Sequence, residues 1–318
     1  MTDTTKEIFE KYQVRKNKKQ KEEFREYVTK IATENGYECK IEKGGCGVNN
    51  IVVGDVDSAK VIYTAHYDTQ PILPIPNINM PKHMVLTTLL QLFFLALLLV
   101  PMFFALGLLC FALEKWGVPV EIVDIVYLVL DYGILVWLLL FAYVGKANPH
   151  TANDNTSGVT TLIDIMTSLP KKDRQGVAFV FFDLEELGLI GSSSFASKHK
   201  DIKNNTLIVN FDCVSDGKKM MFVVKKDAKK YIEALEKSFQ SNDVFEVEIA
   251  TKGVFYPSDQ LNFKCGVGVA ALLKTKNGKI EYLNKVHSKK DTVYQEENIK
   301  YLVNGAKKLA KELNKVEK

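Results

Sequence analysis

Across Met84–Leu113 there is no Asp, Glu, Lys or Arg. Thirty consecutive residues without a charge exclude an ordinary amphipathic surface helix, which needs a polar face. Cysteine is scarce too: the five present (Cys39, Cys46, Cys110, Cys213, Cys265) are odd in number and scattered. That excludes a disulfide framework and any thiolate metal spacing, and favours reduced thiols. Histidine occurs only five times in 318 residues, so each one is informative. The polar start, MTDTTKEIFEKY, does not read as a secretory signal. No nucleic-acid-binding motif, internal repeat or low-complexity tract is present. The net charge of +4 is mild, and a mean hydropathy of −0.04 conceals one greasy stretch in an otherwise polar chain.

What is present organises around that stretch. As a helix, Met84–Leu113 spans ~45 Å, more than the ~30 Å hydrocarbon thickness of a bilayer requires, and Pro101 should kink it. A short polar turn, Glu114-Lys115-Trp116-Gly117, leads to a second apolar run from about Val118 to Val144. The two runs predict an antiparallel transmembrane hairpin with both flanks on one side. Lys82 and Lys146 flank one end and Lys115 the other, and the lysine-rich leading segment favours a cytoplasmic catalytic domain. Within the second run Asp131 falls near mid-membrane, either facing a cavity or neutralised at a helix contact. Prolines (Pro71, Pro74, Pro76, Pro81) and residues 145–149 act as linkers. The expected division is 1–82 and 146–318 for one globular domain and 83–145 for the hairpin. The early basic run (Lys11, Arg15, Lys16, Lys18, Lys19, Lys21) reads as a solvated helix face or a headgroup-binding patch.

Chemistry-bearing residues cluster at the ends of predicted strands. The apolar run 60–65 ends in His66-Tyr67-Asp68; residues two apart share a strand face, so Asp68 can support the His66 ring. Residues 152–158 form a loop that opens a helix over about 156–168 and displays Asp154, which taken by itself reads as a helix cap. The buried strand 177–182 precedes Glu185-Glu186, either a base beside a ligand or a solvated acidic pair. Strand 206–211 ends at Asp212, and His287 precedes a helix over about 295–315. His83 and His199 read as interface and surface residues; His150 lies near enough to touch the site. Helices are expected over about 5–34 and 295–315. The ordered set His66, Asp154, Glu186, Asp212 and His287 offers two imidazoles and three carboxylates, a mixture that suits zinc.

At these residues the chain resembles the di-zinc aminopeptidase family of metallopeptidase clan MH. The blocks AHYDT (65–69), ANDNTSG (152–158), FVFFDLEELGLIGS (179–192), NFD (210–212) and HSKKDT (287–292) match in order, with PSDQLNF (257–263) as a sixth. The resemblance covers about 1–80 and 147–318. It implies a three-layer α/β/α domain with a mixed, mostly parallel sheet, here carrying the hairpin as an insertion. It implies two zinc ions, one held by His66 and Glu186, the other by Asp212 and His287, with Asp154 bridging. Glu185 would be the general acid/base acting on a water shared by the ions, Asp68 and Asp291 supports, and Tyr256 an oxyanion donor. The expected reaction is removal of N-terminal residues from peptides, with a peptide and the lipid bilayer as partners. Glutaminyl cyclisation or carboxypeptidase cleavage on the same fold, or a non-catalytic receptor, are the alternatives. The chain departs from the pattern at Thr151, where glycine is frequent, at Gln260, where histidine is frequent, and above all in the long interval between His66 and Asp154. The active-site mouth is expected to face the membrane.

Overall fold

A computed structural model describes residues 1–315. In chain order its helices and strands are α1 (Asp3–Lys11), α2 (Lys18–Glu34), β1 (Cys39–Lys43), β2 (Asn49–Val53), β3 (Val61–His66), α3 (Met84–Lys115), α4 (Val120–Val144), α5 (Gly158–Ser168), β4 (Val177–Phe182), α6 (Ile190–Lys198), α7 (Lys200–Asn205), β5 (Leu207–Phe211), β6 (Lys219–Val224), α8 (Ile232–Ser238), β7 (Glu246–Ala250), β8 (Gly266–Lys274), β9 (Glu281–Tyr282) and α9 (Glu296–Lys315). The strands form one mixed sheet in the order β1-β2-β4-β3-β5-β8-β6-β7, with β9 paired to β8. Its central neighbours β4, β3, β5 and β8 run parallel.

Side-chain alternation builds the layers. Tyr63, Phe179, Phe181, Val209 and Phe211 point to one face, where they pack with residues of α2, α5 and α9 such as Phe24, Leu162 and Leu309. Ile62, Val180, Phe182 and Ile208 point to the other, against Phe195 of α6 and Ile202 of α7. Central strands covered on both faces read as unbroken apolar runs, as these do.

The N-terminal region corrects the expected single helix over 5–34. The chain breaks between α1 and α2 because Asn17 caps α2 through the Gln20 N–H, 2.9 Å, while the Gln20 side chain accepts from the Asn17 N–H, 3.1 Å. This reciprocal box starts a new helix. Nor is the basic run all solvated: Arg15 is fully buried and Lys21 nearly so. Lys21 Nζ lies 2.7 Å from Asp183 Oδ1, whose side chain is 0% exposed, and Asp183 also accepts from the Asn49 N–H at 3.1 Å. Burial pushes the Asp183 carboxyl up and Lys21 opposes that push.

The helices α3 and α4 stand apart from these layers. α3 runs through Pro101 as one helix and buries only Thr87 and Leu106; α4 buries only Val123. Leucine and valine side chains are exposed along both, with phenylalanines on α3. Each helix is long and apolar enough to cross a bilayer. The ends of this hairpin are joined: Pro71 and Ala147 form an antiparallel bridge, and the Ile72 N–H donates to the Lys146 carbonyl, 3.2 Å.

The buried pair gives a direct test. Lys21→Met leaves Asp183 buried and unpaired and should cost about 3 kcal/mol, while adding Asp183→Asn, which still accepts the Asn49 N–H, should recover much of it. Thermal unfolding of the detergent-solubilised variants measures both changes.

Candidate metal centre

Three strand ends and two loops converge at the carboxyl edge of the sheet. β3 delivers His66, β4 is followed by Glu185 and Glu186, and β5 is followed by Asp212. The loop before α5 brings Asp154, and the segment before α9 brings His287. His66 Nε2 lies 3.3 Å from Asp154 Oδ1 and 3.6 Å from Asp212 Oδ1. His287 Nε2 lies 2.9 Å from Asp154 Oδ2 and 3.3 Å from Glu186 Oε2. All five expected ligands therefore meet, and Asp154 spans the two imidazoles with one oxygen toward each. The shortest contacts place His66 beside Asp212 and His287 beside Glu186. Ligand atoms of His66, Asp154 and Glu186 also lie within 4.8 Å of one another, because β3 lies between β4 and β5 and His66 is within reach of the carboxylates that follow both.

The loop carrying Asp154 is pinned on every side. Asp291 accepts from the Asn153 and Asp154 N–H groups, 2.8 and 2.9 Å. Asn153 Oδ1 accepts from the Ser215 and Asp216 N–H groups, 2.8 and 3.0 Å, just past Asp212. Asn155 Nδ2 donates to the Phe211 carbonyl at 3.1 Å. Gly158 has no alternative, since a Cβ there would sit 2.2 Å from that same carbonyl oxygen. Left-handed backbone outside glycine occurs beside the site at Leu184, Cys213 and His287, a placement that marks residues held in position by their surroundings.

Asp68 has a wider role than supporting the ring. Its carboxylate lies 3.5 Å from His66 Nδ1, and it accepts from the Glu185 and Glu186 N–H groups, 3.0 and 3.2 Å. It thus orients a ligand and the turn carrying the acidic pair. Arg15 was legible only as one charge in a basic run. Its guanidinium donates to the Tyr67 carbonyl, to the Tyr12 carbonyl at 2.6 Å and to Thr156 Oγ1 at 3.2 Å, tying the β3 end to the Asp154 loop. Thr151 Oγ1 donates to the Gln13 carbonyl, 2.6 Å, and Gln260 Nε2 to the Tyr256 carbonyl, 2.7 Å, so both departures from the family pattern serve structure.

Tyr256 is a different matter. It is buried in an apolar cluster with Met221, Leu272 and Leu283, and its hydroxyl donates to the Asp212 carbonyl at 3.1 Å. That bond ties the hydroxyl to the backbone of the Asp212 segment. Nor is His199 a free surface residue: its Nε2 lies 2.7 Å from Glu42 Oε2 and it stacks on Phe195. His150 is half-buried and its backbone N–H donates to Asn148 Oδ1 at 3.1 Å. A carboxylate that went unassigned in the sequence, Asp259 of the PSDQLNF block, is fully buried, with neither oxygen hydrogen-bonded among the described residues.

The electrostatics show what the site lacks without a cation. Burial lowers both histidines, but Glu185, Asp154 and Asp212 around His66, and Glu186 and Asp154 around His287, outweigh it and hold both well above the ordinary imidazole value. Burial, then Asp154, pushes Glu186 up to about 7; burial, then Asp154, pushes Asp291 up to about 8. Asp259 rises to about 7 through burial, and burial carries Glu185 well above its usual range. Among the described residues Glu186 Oε1 and Asp212 Oδ1 are buried without hydrogen-bond partners. Crowded carboxylates, upward-shifted imidazoles and orphaned oxygens all call for positive charge at one point, so the residues present fit a divalent cation bound through nitrogen and oxygen.

An open α/β sheet places its ligand site at the carboxyl edge, and here that edge carries a set of nitrogen and oxygen donors suited to a divalent cation. Residues 141–307 match Peptidase family M28. That span is just over half of the chain, and the protein belongs to this family of zinc-dependent exopeptidases and glutaminyl cyclases. Among solved structures it is similar to the LapA aminopeptidase of Legionella pneumophila (14% identity, 98% of this chain and 69% of that one, TM-score 0.55). It is similar also to a glutaminyl cyclase of Bacteroides thetaiotaomicron (14%, 96% and 94%, 0.55) and to a Zn-dependent exopeptidase of Parabacteroides distasonis (15%, 96% and 96%, 0.54). These likenesses establish the fold. Comparison with curated protein sequences yields no match.

Two consequences are measurable. Asp291→Ala frees the Asn153–Asp154 backbone and should weaken zinc binding about 10–100-fold, read by metal content after dialysis against a weak chelator. Because protons and the cation compete for Glu186 and the imidazoles, zinc affinity should fall as pH is lowered through about 7. Titration calorimetry at pH values on either side of that midpoint tests the sign.

Proposed function

We propose that this protein is a membrane-anchored, di-zinc aminopeptidase. The observation that carries the reading is Asp154, whose two oxygens face two separate imidazole–carboxylate pairs. In this reading His66 and Asp212 hold one ion, His287 and Glu186 the other, and Asp154 both. The ions supply Lewis acidity toward the peptide carbonyl and lower the pKa of water. The chain's own residues supply the rest. Glu185, raised by burial and held by its N–H bond to Asp68, takes a proton from the attacking water and returns it to the departing amine. Asp68, Asp291 and Arg15 keep the ligand-bearing loops in register.

The complete set of ligands favours two ions and therefore peptide cleavage over glutaminyl cyclisation, for which one zinc is expected. Glu185→Gln should retain metal while losing about 10²–10⁴-fold in turnover, measured with a fluorogenic aminoacyl panel with and without chelator. Wild-type turnover in that variant would refute the role of Glu185, and a single zinc at saturation would favour the cyclase.

The proposed chain organisation is a globular domain from 1–82 and 146–318 interrupted by a transmembrane hairpin at 83–145, with the domain on the cytoplasmic side. The joined hairpin ends support a mouth near the lipid: the Leu73 N–H donates to the His287 carbonyl, 3.0 Å, and the Phe255 N–H to the Pro81 carbonyl, 2.9 Å. Phe255 is exposed beside the base of α3. Peptides tethered to vesicles should therefore be cleaved several-fold faster than the same peptides free in solution. Equal rates in nanodiscs would leave the hairpin as an anchor only.

A further inference from the structure

Gln91 is an amide in the second turn of an otherwise apolar α3. A polar group there is costly unless it finds partners, and its partners lie outside the hairpin. Gln91 Nε2 donates to Asn77 Oδ1 and to the Ile78 carbonyl, 3.3 Å each. The Asn77 amide nitrogen lies 3.1 Å from His287 Nδ1. The opposite nitrogen of that ring, Nε2, is the one that faces Asp154 and Glu186. An unbroken path of side chains thus runs from a bilayer-length helix to a ligand of the metal centre. His287 needs such a hold, since its backbone is left-handed (φ +57°) and its ring is otherwise surrounded by carboxylates.

We infer that Asn77 and Gln91 are positioning residues that set the tautomer and orientation of His287, so that α3 helps to build the metal centre as well as anchoring it. The inference rests on the metal-centre reading of His287. An imidazole that presents Nε2 to a cation carries its proton on Nδ1 and needs an acceptor there. A half-turn of the Asn77 amide puts Oδ1 in that place, and a matching half-turn of the Gln91 amide, which gives up its bond to the Ile78 carbonyl, presents Oε1 to Asn77 Nδ2; carboxamides offer both ends. An amide suits this position better than a carboxylate, because it orients the ring without adding another negative charge to a site already crowded with them. The inserted hairpin and its approach segment supply Gln91 and Asn77, so this support depends on the insertion.

The test is zinc affinity of full-length protein in nanodiscs, measured by competition with a chromogenic chelator, alongside thermal stability of the metal-free form. Asn77→Leu should weaken the weaker-binding zinc about 10–100-fold and Gln91→Leu somewhat less. The double variant should be no weaker than Asn77→Leu alone, because Gln91 acts only through Asn77. Asn77→Asp, which still accepts from Nδ1, should restore most of the affinity. Wild-type affinity in Asn77→Leu, or additive losses in the double variant, overturns the relay while leaving the metal centre standing. A purely structural role would lower the metal-free melting temperature without changing zinc affinity, and that result also overturns it. If the wild-type protein binds no zinc, the metal-centre reading itself fails and the relay with it.

Discussion

Seven carboxylates (Asp68, Asp154, Glu185, Glu186, Asp212, Asp259 and Asp291) gather at one end of a sheet, and their mutual repulsion is the constraint to which the surrounding structure answers. Burying an unpaired charge costs several kcal/mol, so each carboxylate needs hydrogen bonds, a cation or a proton. Asp68 and Asp291 are each given two backbone N–H donors. Asp154 is given two imidazoles. Among the described residues Glu186 and Asp212 each keep an oxygen without a hydrogen bond, and Asp259, outside the proposed ligand set, keeps two. Full backbone support thus goes to the two carboxylates that position loops, Asp68 and Asp291.

Much of this was readable in the sequence because the ligands sit where secondary structure changes. A buried parallel strand reads as an apolar run, and the first polar residue after it lies at the carboxyl edge. His66 and Asp212 lie at strand ends in this way, with Glu186 a few residues past a third, and strands 61–66, 177–182 and 207–211 fell within a residue of their expected limits. What could not be read was adjacency. Chain order does not reveal that β3 lies between β4 and β5, and so which carboxylates stand beside His66 had to come from the sheet. Charge was equally deceptive: Arg15 and Lys21 look like their exposed lysine neighbours, yet their roles depend on partners more than fifty residues away. Asn17 and Gln20 did carry a local signal, the three-residue capping spacing, that divides one expected helix into two. Asn77 and Gln91 carried none, since an amide in a proline-rich linker and another in an apolar helix have meaning only once folded together.

The hairpin's position in the topology explains why so large an insertion leaves the fold intact. β3 and β4 are parallel neighbours joined by a crossover through α5. A crossover must leave at the carboxyl end of its first strand, and this is where residues 70–148 depart and return. The bridge between Pro71 and Ala147 closes the excursion at its base, so the register of the sheet is insensitive to what lies beyond it. Closing a long loop adds only slowly growing entropy, and two antiparallel helices joined by a short turn keep even that small.

The same topology puts the excursion at the catalytic edge instead of a neutral surface. Insertions at the opposite edge would have been equally compatible with the sheet, but they would leave the strands at their amino ends, remote from every ligand. Here Gln91 lies seven residues into α3, about 10 Å along the helix axis, and already touches a side chain that touches His287. The distance between the metal centre and the hydrophobic part of the helix is therefore fixed by a few turns of rigid structure and two amides. A flexible tether would hold the enzyme at the membrane while leaving its mouth free to face any direction. In the proposed membrane-anchored arrangement, a hairpin rooted beside His287 would not tilt without dragging the crossover segment and that ring, so anchoring and orientation would become one mechanical property.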